Sequence, residues 1–296
     1  MLEPLPPDPV DEAVLLAALR CSGQPWSKVR VWSVTDSTQS QLRADFAHQP
    51  PVDLGWRLQL AHSQTAGRGR NQSKWKADAG SSLLLSLGGP LLVAPELWPR
   101  LSLVVGLALR DALQPLVATE LSLKWPNDLL AMTAVGPRKL AGILCERVGG
   151  PCADPLWLCG VGINVSACPE PTEVRIPAIS LQELAATSAD QRLPQLAENC
   201  AVAIRAAVDQ FVSRGGILDV VRLEQHLAFR DAAVQVDLGA RDGLRWLRLD
   251  GLDPSGELRG RWLDDAGQIG EFAVVSPLSI AATAEHTWTN PFAEGR

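Results

Sequence analysis

Between two apolar runs, residues 55–61 and 82–87, the chain places Gly67, Arg68, Gly69, Arg70, Asn71, Gln72, Ser73, Lys74 and Trp75, so that three cations, two glycines and an indole fall within nine residues. Both runs read as strands, so any fold for this chain has to hold the loop by sheet edges at its two ends. Backbone N–H groups and guanidinium forks in such a loop can surround a phosphate or a carboxylate, and the glycines permit close approach and positive φ. That is anion-binding chemistry. The segment is not a Walker P-loop, because no Gly-Lys-Ser/Thr follows at the needed offset. Nor is it a dinucleotide fingerprint, because Gln72 stands where a third glycine would be. Taken alone, a loop of this kind also reads as a solvated turn or a nonspecific nucleic-acid patch.

The charge balance separates these readings. The chain carries a formal net charge of -6, whereas a dedicated DNA or RNA binder shows a basic excess or stripe. Basic groups gathered in one loop of an acidic protein point to a local ligand site. Its 296 residues suffice for one large domain plus a smaller one, and 46% apolar with 20% charged residues is ordinary for a globular chain. The six cysteines form no C-x-x-C pair, and no histidine lies near enough to Cys145, Cys152 and Cys159 to suggest zinc, so they read as reduced, partly buried thiols. With no 18-residue apolar run and no cleavable leader, a cytoplasmic location is expected. The Pro-rich residues 2–9 read as a flexible tail.

Periodicity then sets out the elements. A short helix is expected over 10–20, a strand over 29–34, and a helix through Phe46 capped by Asp36, Ser37 and Thr38. Residues 95–116 have the spacing of one buried amphipathic helix. Strands follow at 122–125, 139–148 and 156–161, punctuated by Pro126-Asn127 and Gly149-Gly150-Pro151, and residues 181–230 turn helical. Beyond 232, β-like runs at 234–238, 244–249, 257–262 and 271–275 alternate with Gly- and Asp-rich turns, the pattern of a small antiparallel barrel.

Four further segments carry polar chemistry. Ser37, Thr38 and Gln64 offer hydroxyl and amide groups to a small polar ligand, or serve only as caps and turn residues. Lys124, Asn127 and Asp128 place a cation and a carboxylate at a strand end, or form a plain charged turn. Lys139 stands at the mouth of an apolar strand in which Gly142 lets a ligand lie against the backbone. Gly160 and Gly162 precede the amide of Asn164.

The ordered series DST, QTAGRGRxxxKW, KWPNDLL, KLAGIL and GVGINV resembles the catalytic domain of the biotin protein ligases, by motif over roughly residues 33–230 and more loosely through the terminal barrel. The resemblance implies an α+β fold, a mixed β-sheet with packed helices of the class II synthetase kind, followed by a small SH3-like β-barrel. It implies a tail and short helix at 1–30, a catalytic domain at 31–231, the barrel at 232–284 and a tail at 285–296. It also implies that ATP and Mg²⁺ convert biotin to biotinyl-5'-AMP, which then acylates a lysine of the biotin carboxyl carrier domain of an acetyl-CoA or acyl-CoA carboxylase. Carried over by position, Ser37, Thr38, Gln64, Gly67, Arg68 and Gly142 face biotin, and Lys139 reaches its carboxylate and the phosphate. Arg70 closes over the adenylate, Trp75 lies against adenine, and Asn164, Lys124, Asn127 and Asp128, with Arg68, line the nucleotide side. Lys139 and Arg70 are the catalytic pair, and Asp128 is a candidate acceptor for the proton of the incoming lysine. The metal ligands stay unassigned.

Two departures from the family pattern stand out. Where GRGRxGR is common, this chain has Gly69-Arg70-Asn71-Gln72-Ser73, which alters the closed shape of the loop and removes one phosphate contact. Only 35 residues precede Asp36, too few for the winged helix-turn-helix of members that double as repressors, so the monofunctional type without DNA binding is expected. No membrane association is expected, and a homodimer is left open. The alternatives are a lipoate or octanoate ligase or transferase of related fold, against which the RGR loop and KWPND argue, and a biotin-sensing binding protein without enzymatic activity.

Overall fold

The computed structural model describes residues 10–47, 55–70, 73–91, 93–149, 156–170, 176–185, 193–238, 243–264 and 266–276. The Pro-rich start, Asn71, Gln72, the Gly150-Pro151 turn, Cys152 and the 285–296 tail lie outside them.

Among the described residues eleven strands form in chain order: β1 (Lys28–Thr35), β2 (Arg57–Gln64), β3 (Ser82–Pro90), β4 (Leu121–Lys124), β5 (Asp128–Thr133), β6 (Gly136–Val148), β7 (Leu156–Asn164), β8 (Ala233–Asp237), β9 (Leu244–Leu252), β10 (Leu258–Leu263) and β11 (Ile269–Val275). The first seven make one sheet in the order β1-β2-β3-β7-β6-β5-β4, and the last four an antiparallel meander in the order β11-β10-β9-β8. In the large sheet β1 and β2 run parallel and every other neighbouring pair is antiparallel. The expected mixed sheet with packed helices and the small C-terminal β unit are therefore both present.

Side chains alternate across the sheet, so each strand serves two faces. One face turns Leu58, Leu60, Leu83, Leu85, Leu87, Trp157, Cys159, Val161 and Ile163 into the main core. There α3 (Leu101–Leu113) and α5 (Leu193–Ser213) pack together, with α1 (Glu12–Cys21) against α5. Asp11 starts α1 by accepting from Ala13 N at 2.7 Å and Val14 N at 3.1 Å, an N-cap worth about 1 kcal/mol. Leu196, Ile204, Val208 and Phe211 of α5 are all buried, at about 1.5–3 kcal/mol each for the large apolar side chains. The opposite face is covered over part of its width by α2 (Thr38–Ala47), whose Leu42 and Phe46 meet Leu156 and Leu158.

Three readings from the sequence change. The single helix expected over 95–116 is a 3₁₀ turn at Pro95–Arg100, α3, and a second 3₁₀ turn at Gln114–Leu116, because Pro99 and Pro115 each withhold an N–H from a continuous ladder. The helical region after 181 divides into α4 (Leu181–Leu184), α5 and α6 (Val220–Gln225), with Gly215 at φ 67° and Gly216 at φ 78° ending α5. A strand absent from the sequence reading, β5, pairs with both β4 and β6.

The meander is bound to the rest of the chain at a few defined points. Buried Trp125 donates its indole N–H to Gly256 O at 2.9 Å, across the turn that joins β9 to β10. Glu224 of α6 accepts from Leu252 N at 2.8 Å and from Arg259 Nη2 at 3.3 Å. The segment that leads from α6 into the meander is held as well: Leu123 of β4 donates to His226 O and accepts from Ala228 N. Among the described residues the free thiols are Cys145, Cys159, Cys168 and Cys200, and no helix is long and apolar enough to cross a membrane.

Candidate active site

The expected residues meet on the sheet face that carries α2, in the part α2 leaves uncovered. On β7 this face presents Leu158, Gly160, Gly162 and Asn164; on β6 it presents Gly142, Leu144 and Glu146; and Asp128 of β5 lies in register with Gly142. Glycines at 142, 160 and 162 remove the side chains that would fill it, leaving a trough with a backbone floor. A Cβ at Gly162 would collide with the Trp75 indole, and one at Gly142 would lie 3.0 Å from Trp75 Cζ3 and 3.3 Å from Lys139 Nζ. Trp75 thus lies flat over the glycines.

The loop that brings Trp75 there is a narrow hairpin. Gly69 N donates to Ser73 O at 2.8 Å, Trp75 N to Gly67 O at 3.1 Å, and Arg68 bridges Lys74. Gly67 and Gly69 are required by close approach: a Cβ on Gly67 would sit 2.7 Å from Trp75 O, and one on Gly69 would run into Ser73 Oγ. Ser73 Oγ donates to Arg70 O at 2.7 Å, so the residue that departs from the family pattern closes this turn. Gln72, the other departure, lies outside the described residues.

At one end of the trough stands a buried charge cluster. Asp128 Oδ1 lies 2.7 Å from Lys139 Nζ, and Oδ2 lies 3.4 Å from Lys124 Nζ. Burial pushes the Asp128 carboxyl up, but the two ammonium groups more than reverse this and hold it at about 2. Burial also lowers the Lys124 ammonium, against the opposing charge of Asp128. Lys139 is the more exposed of the two lysines and has the Trp75 ring 5.7 Å away. Arg70 donates to Asn127 Oδ1 at 3.4 Å; burial lowers its guanidinium and Asp128 opposes the shift. Asn127 Nδ2 donates to Ile143 O at 2.8 Å, and Asn164 Nδ2 to Lys139 O at 3.3 Å, so both amides brace β6. With its carboxylate held between two lysines, Asp128 is a weak base, better suited to orienting Lys139 than to accepting a proton.

At the other end is a polar recess. Gln64 Oε1 accepts from Thr38 N at 2.7 Å and Thr38 Oγ1 at 3.1 Å, and Thr38 Oγ1 also lies 2.8 Å from Ser86 Oγ. Ser37 is buried at the start of α2, its N–H on Asp36 Oδ1 at 2.6 Å. Arg68 is held by an internal anion on the same face. It pairs with Glu146 at 3.0 Å, and Glu146 also binds Arg43 at 3.0 Å, beside a cavity of about 520 Å³ between the hairpin and the end of β6.

Sequence reasoning missed Gln39, Ser86 and Glu146. Ser86 interrupts the leucines of β3 and Glu146 follows the apolar run 140–145 of β6, which is the signal that could have marked them. Several buried side-chain atoms around the trough have no hydrogen-bond partner: Gln39 Oε1, Trp75 Nε1, Ser82 Oγ and Asn164 Oδ1. Buried polar groups are rarely left so, and a cluster of them along one trough marks a surface made for a polar ligand. Among the described residues no group of three His, Cys, Asp or Glu could hold a metal ion. Asp128 is committed to two lysines, and Glu146 to Arg43 and Arg68.

Residues 31–164 match the Biotin/lipoate A/B protein ligase family. The chain is 39% identical over 187 residues to the biotin--[acetyl-CoA-carboxylase] ligase of Mycobacterium tuberculosis, covering 62% of this chain and 65% of that protein. It is 32% identical over 254 residues to the bifunctional ligase/repressor BirA of Escherichia coli, covering 85% of this chain and 74% of that one. The chain therefore spans slightly under two thirds of the first relative's length and about three quarters of the second's. Among solved structures, the biotin protein ligase from Aquifex aeolicus in complex with biotin and ATP matches with a TM-score of 0.66 at 23% identity, over 88% of this chain and 99% of that one. This last likeness is one of fold.

Proposed function

Because this chain belongs to the Biotin/lipoate A/B protein ligase family, and within it to the biotin protein ligases, we propose that it joins biotin to ATP and transfers the biotinyl group to a lysine of a biotin carboxyl carrier domain. The observation that carries the reading is the juxtaposition of a cation cluster and a neutral hydroxyl and amide recess on one glycine floor. Such a trough suits a molecule with an anionic end and a polar, uncharged end, and biotin has both: a carboxylate and a ureido ring.

In the first step a biotin carboxylate oxygen bonds to the α-phosphorus as the bond to the bridging oxygen breaks and pyrophosphate leaves. Two anions must approach, so Lys139 and Arg70 screen the repulsion and stabilise charge on the phosphoryl oxygens. Asp128 fixes the Lys139 ammonium, and Lys124 balances the cluster. Ser37, Thr38, Gln64, Gly67 and Gly142 line the biotin side, while Trp75, Asn127 and Asn164 line the nucleotide side with Arg70. Arg68 reaches ligand by exchanging its Glu146 partner for a carboxylate or phosphate. In the second step the lysine amine attacks the acyl carbon and AMP departs; positioning dominates, because AMP is a good leaving group.

Magnesium finds no carboxylate cage in this donor set, so it would enter on the phosphate oxygens. The acceptor is read as an acetyl-CoA or acyl-CoA carboxylase carrier, and the location as cytoplasmic. The 31–231 and 232–284 division is the working organisation. The test is exchange of labelled pyrophosphate into ATP. The reading expects exchange that depends on biotin and is not supported by octanoate or lipoate; exchange driven by either of those acids instead would overturn it.

A further inference from the structure

Two cysteines that the proposed reaction does not use face each other across β6 and β7. Alternation turns Ala141, Ile143 and Cys145 of β6 toward the core, and the rungs of the ladder pair them with Ile163, Val161 and Cys159 of β7. The first two rungs are ordinary apolar pairs; the third sets Cys145 Sγ 3.8 Å from Cys159 Sγ, both thiols free. Directly opposed residues of an antiparallel pair have Cα atoms about 4.5–5.5 Å apart, inside the roughly 4.4–6.8 Å that a disulfide spans. The backbone therefore already holds the pair at bonding separation. The two thiols differ in access. Cys159 is fully buried, and burial raises its thiol, with Cys145 adding to the shift. Cys145 is half-buried and borders the cavity between the hairpin and the end of β6, which Arg68, Arg70 and Lys74 also line. Burial lowers the Arg70 guanidinium, and Asp128 and Cys145 oppose the shift, so the dithiol lies within electrostatic reach of the site.

We propose that Cys145 and Cys159 are a redox-sensitive dithiol, which hydrogen peroxide entering by that cavity converts to a disulfide that slows adenylate formation. The Cys145 sulfur attacks a peroxide oxygen; the S–O bond forms, the O–O bond breaks, and the departing hydroxide takes the thiol proton and leaves as water. The Cys159 sulfur then attacks the sulfur of this sulfenic acid, the S–O bond breaks, and the Cys159 proton leaves with the hydroxide as a second water. Two thiols thus give up two electrons to one peroxide. The new bond draws β6 and β7 together at a rung whose neighbours serve the trough. Gly160, next to Cys159, belongs to its floor, and Glu146, next to Cys145, holds Arg43 and Arg68 at 3.0 Å each. The disulfide stands apart from the biotin reading, and its effect on adenylate formation rests on that reading.

To test this, the full chain is treated with hydrogen peroxide, its remaining thiols are alkylated, and its unreduced peptides are measured by mass spectrometry. A Cys145–Cys159 cross-link is expected, with both thiols recovered on adding dithiothreitol. Misplacing a site group by about 1 Å can cost about 100-fold, so biotin-dependent pyrophosphate exchange should fall by about 10- to 100-fold on oxidation and return on reduction. Peroxide should leave the exchange of Cys145→Ser unmoved. Melting curves establish that this variant is folded, and Cys145→Ala takes its place if it is not. In Cys159→Ala the reaction should stop one step earlier, at a Cys145 sulfenic acid that dimedone captures. Both thiols still free after peroxide, a bridge from either to another cysteine, a disulfide that leaves exchange unchanged, or equal inhibition of Cys145→Ser would each overturn the inference. A reduced wild-type chain without biotin-dependent exchange would instead sink the biotin reading, and the cross-link alone would then decide whether the dithiol is a site of oxidation.

Discussion

Replacing Asp128 with Asn removes the carboxylate between two lysines while keeping the side chain's shape. Its effect can be bounded from two directions. Lowering the carboxyl from 3.8 to about 2 on folding corresponds to about 2 kcal/mol of stability near neutral pH. That figure counts only the proton, since a neutral acid could still hydrogen-bond. Substitution does more, because buried Lys124 and half-buried Lys139 lose the counter-charge, and breaking a buried pair from one side costs about 3–5 kcal/mol. For a chain of this size, a loss of about 3 kcal/mol lowers the melting temperature by about 6–12 °C. The sign in pH follows from a depressed folded-state pKa: the stabilisation is fully present above about pH 4 and is lost as pH falls through about pH 2. Thermal melts of Asp128→Asn and wild type from neutral pH downward should therefore show a wide gap that narrows in acid. A gap below about 2 °C near neutral pH, or one that widens in acid, would refute the assignment of Asp128 as the anion that holds both lysines.

Lys139→Ala should reduce biotin-dependent pyrophosphate exchange by about 10- to 150-fold, the worth of one charge-assisted hydrogen bond; exchange within about twofold of wild type would remove Lys139 from the reacting centre. Arg70→Gly removes the guanidinium proposed to close over the adenylate and should increase bystander biotinylation of added albumin above wild type, and equal labelling would mean that Arg70 does not retain the intermediate. Trp125→Phe keeps an aromatic ring, though a smaller one, but leaves the buried Gly256 carbonyl without its indole donor, a loss of about 1–3 kcal/mol. Because Trp125 adjoins Lys124, Asn127 and Asp128, proposed for the nucleotide side, the KM for ATP should rise while biotin affinity holds, and parallel changes in both would contradict the coupling.

The chemistry-bearing segments were legible because each is contiguous in sequence: GRGR, KWPND, KLAGIL and GVGINV bring their residues to the site as short runs. Strand β5 was not legible, since Asp128-Leu129-Leu130-Ala131 is buried on both faces and lacks the alternation that marks a half-exposed strand. The pairings that give the site its electrostatics were hidden for another reason. Glu146 meets Arg43 and Arg68, and Ser86 meets Thr38, only through strand register and the seating of α2, which no local pattern encodes. The same holds for Arg68: the loop predicted a cation at an anion site, and packing placed beside it an internal anion from β6.

The central claim is a transfer reaction, so mass spectrometry of a biotin carboxyl carrier domain incubated with the protein, biotin and MgATP tests it most directly. The account predicts a gain of one biotinyl group on a single lysine, absent when ATP or biotin is withheld. A carrier domain that stays unmodified, or that takes up an octanoyl or lipoyl group when those acids are supplied in place of biotin, would contradict it.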